Sequence, residues 1–214
     1  MRLEWIGHAC FKLTLESGVK VFTDPYDESV GIAMIPLKAD VVTMSHEHHD
    51  HNETSQIIGE PVILHGDEPL SLGGLEIRAY ASYHDDAQGA KRGSNFIRVF
   101  DAEGLKVVHM GDQGCMPEEA ILDAISGADA LLIPVGGFFT LDAAQAKAVI
   151  ARVNPKCVIP MHVKTKHCPY PIDPIGVFLK EMGCGDAEPM AALELTKDGA
   201  QRGVCLLRPM ADEL

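Results

Sequence analysis

The sequence predicts an α/β protein in which two sheets are each covered by helices. Three observations carry that expectation. The first third of the 214 residues is dense in short runs that alternate apolar with polar side chains, the period of half-buried strands. The later part alternates such runs with amphipathic stretches, the pattern of layered α/β packing. A histidine-rich stretch at 43–51, Thr-Met-Ser-His-Glu-His-His-Asp-His, abuts the apolar run 40–44, so polar groups gather at the carboxyl end of a buried strand.

Residues 2–7 and 10–16 read as paired strands, and Glu16-Ser17-Gly18 turns the chain into a third strand at 19–23. This start is a meander, not a Rossmann unit. Residues 26–39 read as a loop whose apolar stretch lines a substrate entrance or makes a subunit contact. Asn52 is expected to cap a short helix at 53–58. Residues 61–65 and 75–81 read as strands, and 94–100 with 105–110 as a hairpin around Asp101-Ala102-Glu103-Gly104. A helix with Pro in its first turn is expected at 117–125. A buried strand at 129–135 ends in Gly136-Gly137-Phe138-Phe139-Thr140, a loop directed to the same rim as the histidines. Asp142 caps an amphipathic helix at 143–153, a strand follows at 157–160, and 174–214 reads as one helix and then strands that close the second sheet. No linker rich in Pro, Gly or Ser divides the chain, so residues 1–214 are expected to form one domain.

The chemistry concentrates in His46-x-His48-x-Asp50-His51. Two histidines two residues apart can converge on one point from an extended or turn backbone, while Asp50 and His51 address a second point nearby. Imidazole and carboxylate suit zinc, iron and manganese, and three protein ligands with an open position make a catalytic site. Further along, Gly111 lets the backbone approach closely, and Asp112 projects from a strand end as a carboxylate able to bridge two ions. His109, three residues earlier, falls on the opposite face and is not expected to be a ligand.

The motif resembles the signature of the metallo-β-lactamase superfamily. The resemblance extends over most of the chain, through Thr23-Asp24-Pro25 before the signature and His84, Gly111-Asp112 and Met161-His162 after it. Gly7-His8-Ala9-Cys10 is similar to a sequence common near the N-terminus of the small proteins that resemble ascorbate-phosphate lactonase. The resemblance implies a four-layer αββα sandwich of two mixed sheets flanked by helices. It also implies two divalent metal ions, zinc first, with manganese or iron as alternatives. One ion would take His46, His48 and His84, the other Asp50, His51 and His162, with Asp112 shared. Asp24, and with it His8, would orient ligands from behind. Lys164, Lys166 and Arg92 would hold an anionic part of the substrate.

Composition limits the function. With 18 Lys and Arg against 31 Asp and Glu the net charge is −13, which argues against a nucleic-acid backbone or an anionic membrane as main partner. No apolar run spans a bilayer, and the N-terminus lacks the apolar core of a signal peptide, so a cytoplasmic location is expected. The six cysteines form no Cys-x-x-Cys pair and are expected to be reduced core residues, with Cys168 the exposed one. The expected function is hydrolysis of a small ester, lactone or phosphate ester by a hydroxide shared between two metals, with Asp50 and Asp112 as catalytic carboxylates. The alternatives are a phosphodiesterase acting on nucleic acid or phospholipid, and a non-catalytic metal-binding protein. The partner is a small molecule, and a homo-oligomer is allowed.

Overall fold

The structure, a computed structural model, describes residues 1–197, 199 and 202–210. Its frame is two mixed sheets built on the same plan. In the first half lie β1 (Arg2–Gly7), β2 (Cys10–Thr14), β3 (Lys20–Thr23), β4 (Leu37–Lys38), β5 (Val41–Thr43), β6 (Ile57–Ile58) and β7 (Val62–Leu64). Strands β1, β2 and β3 pair antiparallel, and β3, β5 and β7 then pair parallel. The second half repeats this order with β8 (Leu70–Leu72), β9 (Leu75–Tyr83), β10 (Ser94–Ala102) and β11 (Leu105–His109) antiparallel. Strands β12 (Ala130–Pro134) and β13 (Cys157–Met161) then join β11 in parallel. Helices α1 (Glu119–Ile125) and α2 (Ala143–Val153) make the crossovers between the parallel strands. Helix α3 (Ile175–Met182) follows them, and its buried Phe178 and Leu179 join the same core.

The two sheets share one core, because alternate residues of each strand turn inward. Leu3, Trp5, Phe11, Leu13, Val21 and Val41 of the first sheet pack in one cluster with Ile77, Ile97, Val99, Val107 and Leu131 of the second. Every residue of β12 and β13 is buried, as expected of parallel strands covered on both faces.

The opposite faces of the first-sheet strands carry Ile6, Cys10, Phe22, Val42 and Met44. A second cluster covers these with Tyr26, Val30, Ile32, Met34 and Leu37. The segment 26–39 therefore turns its apolar residues onto the first sheet rather than toward an entrance. It forms the outer layer of the first sheet and carries a 3-10 turn at Glu28–Val30. The helix expected at 53–58 is absent. Asn52 spends its amide on the backbone and carboxylate of Glu47, and Ile57–Ile58 pairs with β4.

The C-terminal strands divide. Strand β14 (Leu193–Glu194) pairs with β1 at the edge of the first sheet, and only β15 (Gly203–Val204) extends the second. The remainder of the 174–214 expectation, at 198, 200–201 and 211–214, lies outside the described residues. Cys168 is buried, not exposed. Its loop is pressed onto the 26–39 layer so closely that a Cβ at Gly31 would sit 2.0 Å from the His167 carbonyl.

Helix α2 begins with a complete capping box. Asp142 accepts from the Gln145 N–H at 2.8 Å, and the Gln145 side chain accepts from the Asp142 N–H at 3.0 Å. Asp142→Ala is expected to cost about 1 kcal/mol and to lower the melting temperature by about 2–4 °C. An unchanged thermal melt would show that the cap contributes nothing.

Candidate metal centre

Apart from Arg92, the residues singled out in the sequence come from loops at the carboxyl ends of β1, β3, β5, β9, β11 and β13, where the two sheets meet. The loop after β5 is held from three sides before any ligand is placed. Buried Arg98 of β10 donates from Nη2 to the carbonyls of Met44 and Leu64, at 2.9 and 3.1 Å. The Phe96 N–H donates to the Ser45 carbonyl at 2.8 Å. The Asp24 carboxylate accepts from the Ser45 N–H at 2.7 Å and from the Ser45 hydroxyl at 2.6 Å.

These contacts fix proton positions. A carboxylate only accepts, so Ser45 gives its proton to Asp24, and its oxygen then accepts from Nδ1–H of His46 at 2.9 Å. Nε2 of His46 is left as a lone pair, 2.9 Å from Nδ1 of His48. Asp24 also accepts from Nδ1–H of His51 at 2.9 Å, which leaves Nε2 of His51 facing Oδ2 of Asp112 at 3.2 Å. A carboxylate behind an imidazole is the expected way to orient a ligand and raise its basicity.

Asp112 is the centre of the constellation. Its Oδ2 lies 3.2 Å from Nε2 of each of His51, His84 and His162. Its backbone is set by the Asp112 N–H bonding to Asn95 Oδ1 at 2.9 Å. The preceding Gly111 has φ 55°, and a Cβ there would meet Asn95 Oδ1 at 2.3 Å and Ser45 Cβ at 2.4 Å. Only glycine fits that turn. His162 leaves β13 with φ 54°, its N–H bonded to the His8 carbonyl at 3.2 Å. His8 places its Nε2 3.4 Å from Asp50 Oδ2. His109 turns away, with Nε2–H donating to the Ala9 carbonyl at 2.8 Å.

The donor atoms form overlapping groups, each within 4.8 Å: His46, His48 and His84; His46, His51 and Asp112; and His8, Asp50, His51 and His162. Whether this set suits a metal can be asked of its electrostatics. Burial, with His51 nearby, pushes His46 down to about 3, and burial with His162 pushes His8 to about 4, so both rings are neutral donors at neutral pH. Burial opposes charge on Asp112, yet His162 and His51 hold its carboxyl well below the usual range. Asp50 is likewise held low, by His8 and His51. His51 runs the other way: against burial, Asp112 and Asp24 raise it far above an ordinary histidine. A neutral His51 ring would point a lone pair at a carboxylate oxygen 3.2 Å away, an arrangement relieved either by a proton on Nε2 or by a cation held between the two. The buried Oδ1 of Asp112 makes no hydrogen bond either. The site is built for positive charge, and imidazole with carboxylate matches divalent transition ions.

A cavity of ≈ 310 Å³ opens onto these groups. It is lined by His48, Asp50, His84, Asp112 and His162, and by His49, Arg92, Phe139 and Tyr170. Arg92 thus lies where the sequence placed it. Lys164 and Lys166 do not. Lys164 pairs through its backbone with Asp173, which turns its ammonium onto the Tyr170 carbonyl, and Lys166 is exposed outside the cavity. Tyr170, Ser45 and Arg98 were missed. Tyr170 sits in an unremarked Cys-Pro-Tyr-Pro turn, and Arg98 lies on a strand whose partners are distant in sequence. Asp85, passed over beside His84, folds the whole 86–93 loop by accepting from the N–H groups of Ala87, Gly89, Lys91 and Arg92.

Residues 2–162 match the family model described as a beta-lactamase superfamily domain. A candidate zinc-dependent hydrolase of the metallo-β-lactamase superfamily from Thermotoga maritima is 34% identical, with a TM-score of 0.80 over 96% of this chain and 97% of that one. A metallo hydrolase from Ignicoccus hospitalis shares the fold at 19% identity, with a TM-score of 0.67 over 97% and 95% of the two chains. A UPF0173 metal-dependent hydrolase from Thermoplasma acidophilum is 26% identical over 190 residues, 77% of this chain and 84% of its own length.

Asp24→Asn keeps the shape behind Ser45 and His51 but removes the charge. It is expected to weaken zinc binding by about 10–100-fold, read by competition with a chromophoric chelator. Unchanged affinity would mean that Asp24 only holds the loop.

Proposed function

The chain belongs to the metallo-β-lactamase superfamily, and we propose that it is a metal-dependent hydrolase that cleaves a small ester, lactone or phosphate ester with two divalent ions. The single observation that supports this most is the placement of Asp112 Oδ2 at 3.2 Å from three imidazole nitrogens delivered by three separate segments. His46, His48 and His84 would hold one ion, Asp50, His51 and His162 the other, and Asp112 would touch both. Zinc is the first choice because histidine dominates the donors, and manganese or iron fits the carboxylates nearly as well. Two such ions lower the pKa of water between them and polarise a carbonyl or phosphoryl oxygen.

The chain's own residues do the rest. Asp112 and Asp24 share the positive charge around His51 from its two ends. Asp50 lines the cavity, and its carboxylate, steadied by His8 and His51, would take a proton from the attacking water or orient it. His8 acts through Asp50, from behind it. Phe139 and Tyr170 add aromatic wall to the cavity. A cavity of ≈ 310 Å³ is at the small end for ligand sites, which supports a small substrate over a polymer. The net charge of −13 supports the same choice.

Initial rates of the zinc- and manganese-loaded protein on lactones and simple esters, against phosphodiester reporters, test this reading. Turnover of lactones or esters is expected, falling in Asp112→Ala to the level of the chelator-treated protein. Turnover confined to phosphodiesters would transfer the assignment to that class. Metal binding without turnover of either would contradict the hydrolase reading.

A further inference from the structure

One part of the cavity takes no part in holding metal. Arg92, Phe139 and Tyr170 form a continuous row. The Arg92 guanidinium carbon lies 5.6 Å from the Phe139 ring centroid, and Phe139 meets Tyr170 edge to face at 5.9 Å. Both ends of the row are pinned. Arg92 donates from Nη2 to the Phe138 carbonyl at 3.1 Å. The Tyr170 hydroxyl lies 2.8 Å from Ser29 Oγ, which is also bonded to Asp27. Asp27 only accepts, so Ser29 gives it a proton and receives one from Tyr170. The phenol proton is therefore spent on Ser29, and what Tyr170 presents to the cavity is its ring.

The loop accepts strain to make this row. Phe138 holds φ 58°, a left-handed conformation that a bulky residue rarely adopts, and its own ring is 64% exposed. The same turn aims the Phe138 carbonyl at Arg92 and brings Phe139 to the cavity. Arg92 is the one lining residue, among those described, whose positive charge does not depend on histidine protonation. One of its five donors is spent on Phe138, and in a protein of net charge −13 a fixed cation beside Asp50 and Asp112 has a use when the ligand is an anion.

We infer that this row selects small molecules in which an anionic group is joined to a flat apolar ring. The Arg92 guanidinium takes the anion in its fork, and Phe139 and Tyr170 take the ring by edge and face contact. The hydrolase reading supplies the bond that is cut, and the row supplies what is held beside it.

Calorimetric binding of benzenesulfonate and of the neutral methyl phenyl sulfone to the metal-loaded protein separates the two. A sulfonate is a poor ligand for divalent ions, and the part of its preference that is lost with the Arg92 charge reports on Arg92. The wild type is expected to bind the sulfonate about tenfold tighter, the size of one charge-assisted hydrogen bond. Arg92→Gln is expected to bring the two probes to parity and Arg92→Lys to keep part of the preference. Phe139→Leu is expected to weaken both alike. Parity in the wild type, a preference that survives Arg92→Gln, or no binding of either probe would overturn the inference. This binding pattern without ester turnover would count against the hydrolase reading alone. Ester turnover without sulfonate preference would count against anion selection alone.

Discussion

Three imidazoles from three segments of the chain aim at one oxygen of Asp112, a buried carboxylate held in its charged form. Nothing in a folded protein is more costly than such charge left unpaired. The cost is met only if positive charge is delivered to the same point, and a histidine whose Nδ1–H is given away behind it can turn an Nε2 lone pair to a metal there. Asp24 settles the matter for His51 directly, and for His46 through the Ser45 hydroxyl. One carboxylate thereby sets the tautomers on both sides of the centre.

The sandwich exists, in this view, to keep those groups from relaxing. Asp24 and the loop after β5 come from the first sheet, while His84, Asp112 and His162 come from the second. The two halves are bound by a common apolar core and, at the site itself, by polar bonds that cross from sheet to sheet. Arg98 reaches from β10 to the carbonyls of Met44 and Leu64, and the His162 N–H reaches the His8 carbonyl. A buried guanidinium is a poor source of stability, because desolvation offsets most of its hydrogen bonding. Its use here is to fix the start of the metal loop against the second sheet.

Much of this was legible before any fold was drawn. His46-x-His48-x-Asp50-His51 announces itself because ligand spacing is a local property, and the later single residues could be placed because each ends an apolar strand. Alternation located most of the strands for the same reason. What depended on distant partners was not legible. Nothing local marks Arg98, because its acceptor, the Met44 carbonyl, lies 54 positions away. The 26–39 segment looked like a loop because its apolar residues keep no helical or strand period, yet they pack as a layer once the first sheet offers them a face. The false helix at 53–58 rested on Asn52 as a cap, and Ile57–Ile58 pairs with β4 as a strand instead. Lys164 and Lys166 follow His162 closely in sequence, but Lys164 pairs with Asp173 and turns its ammonium onto the Tyr170 carbonyl, and Lys166 is exposed outside the cavity.

The measurement that bears most directly on the shared-carboxylate centre is the number of zinc ions held per chain, by elemental analysis after dialysis against a weak chelator. Two per chain in the wild type, with loss of at least one in Asp112→Asn, is the expected result. One ion in the wild type, or two retained without the Asp112 charge, would contradict a centre organised around that carboxylate.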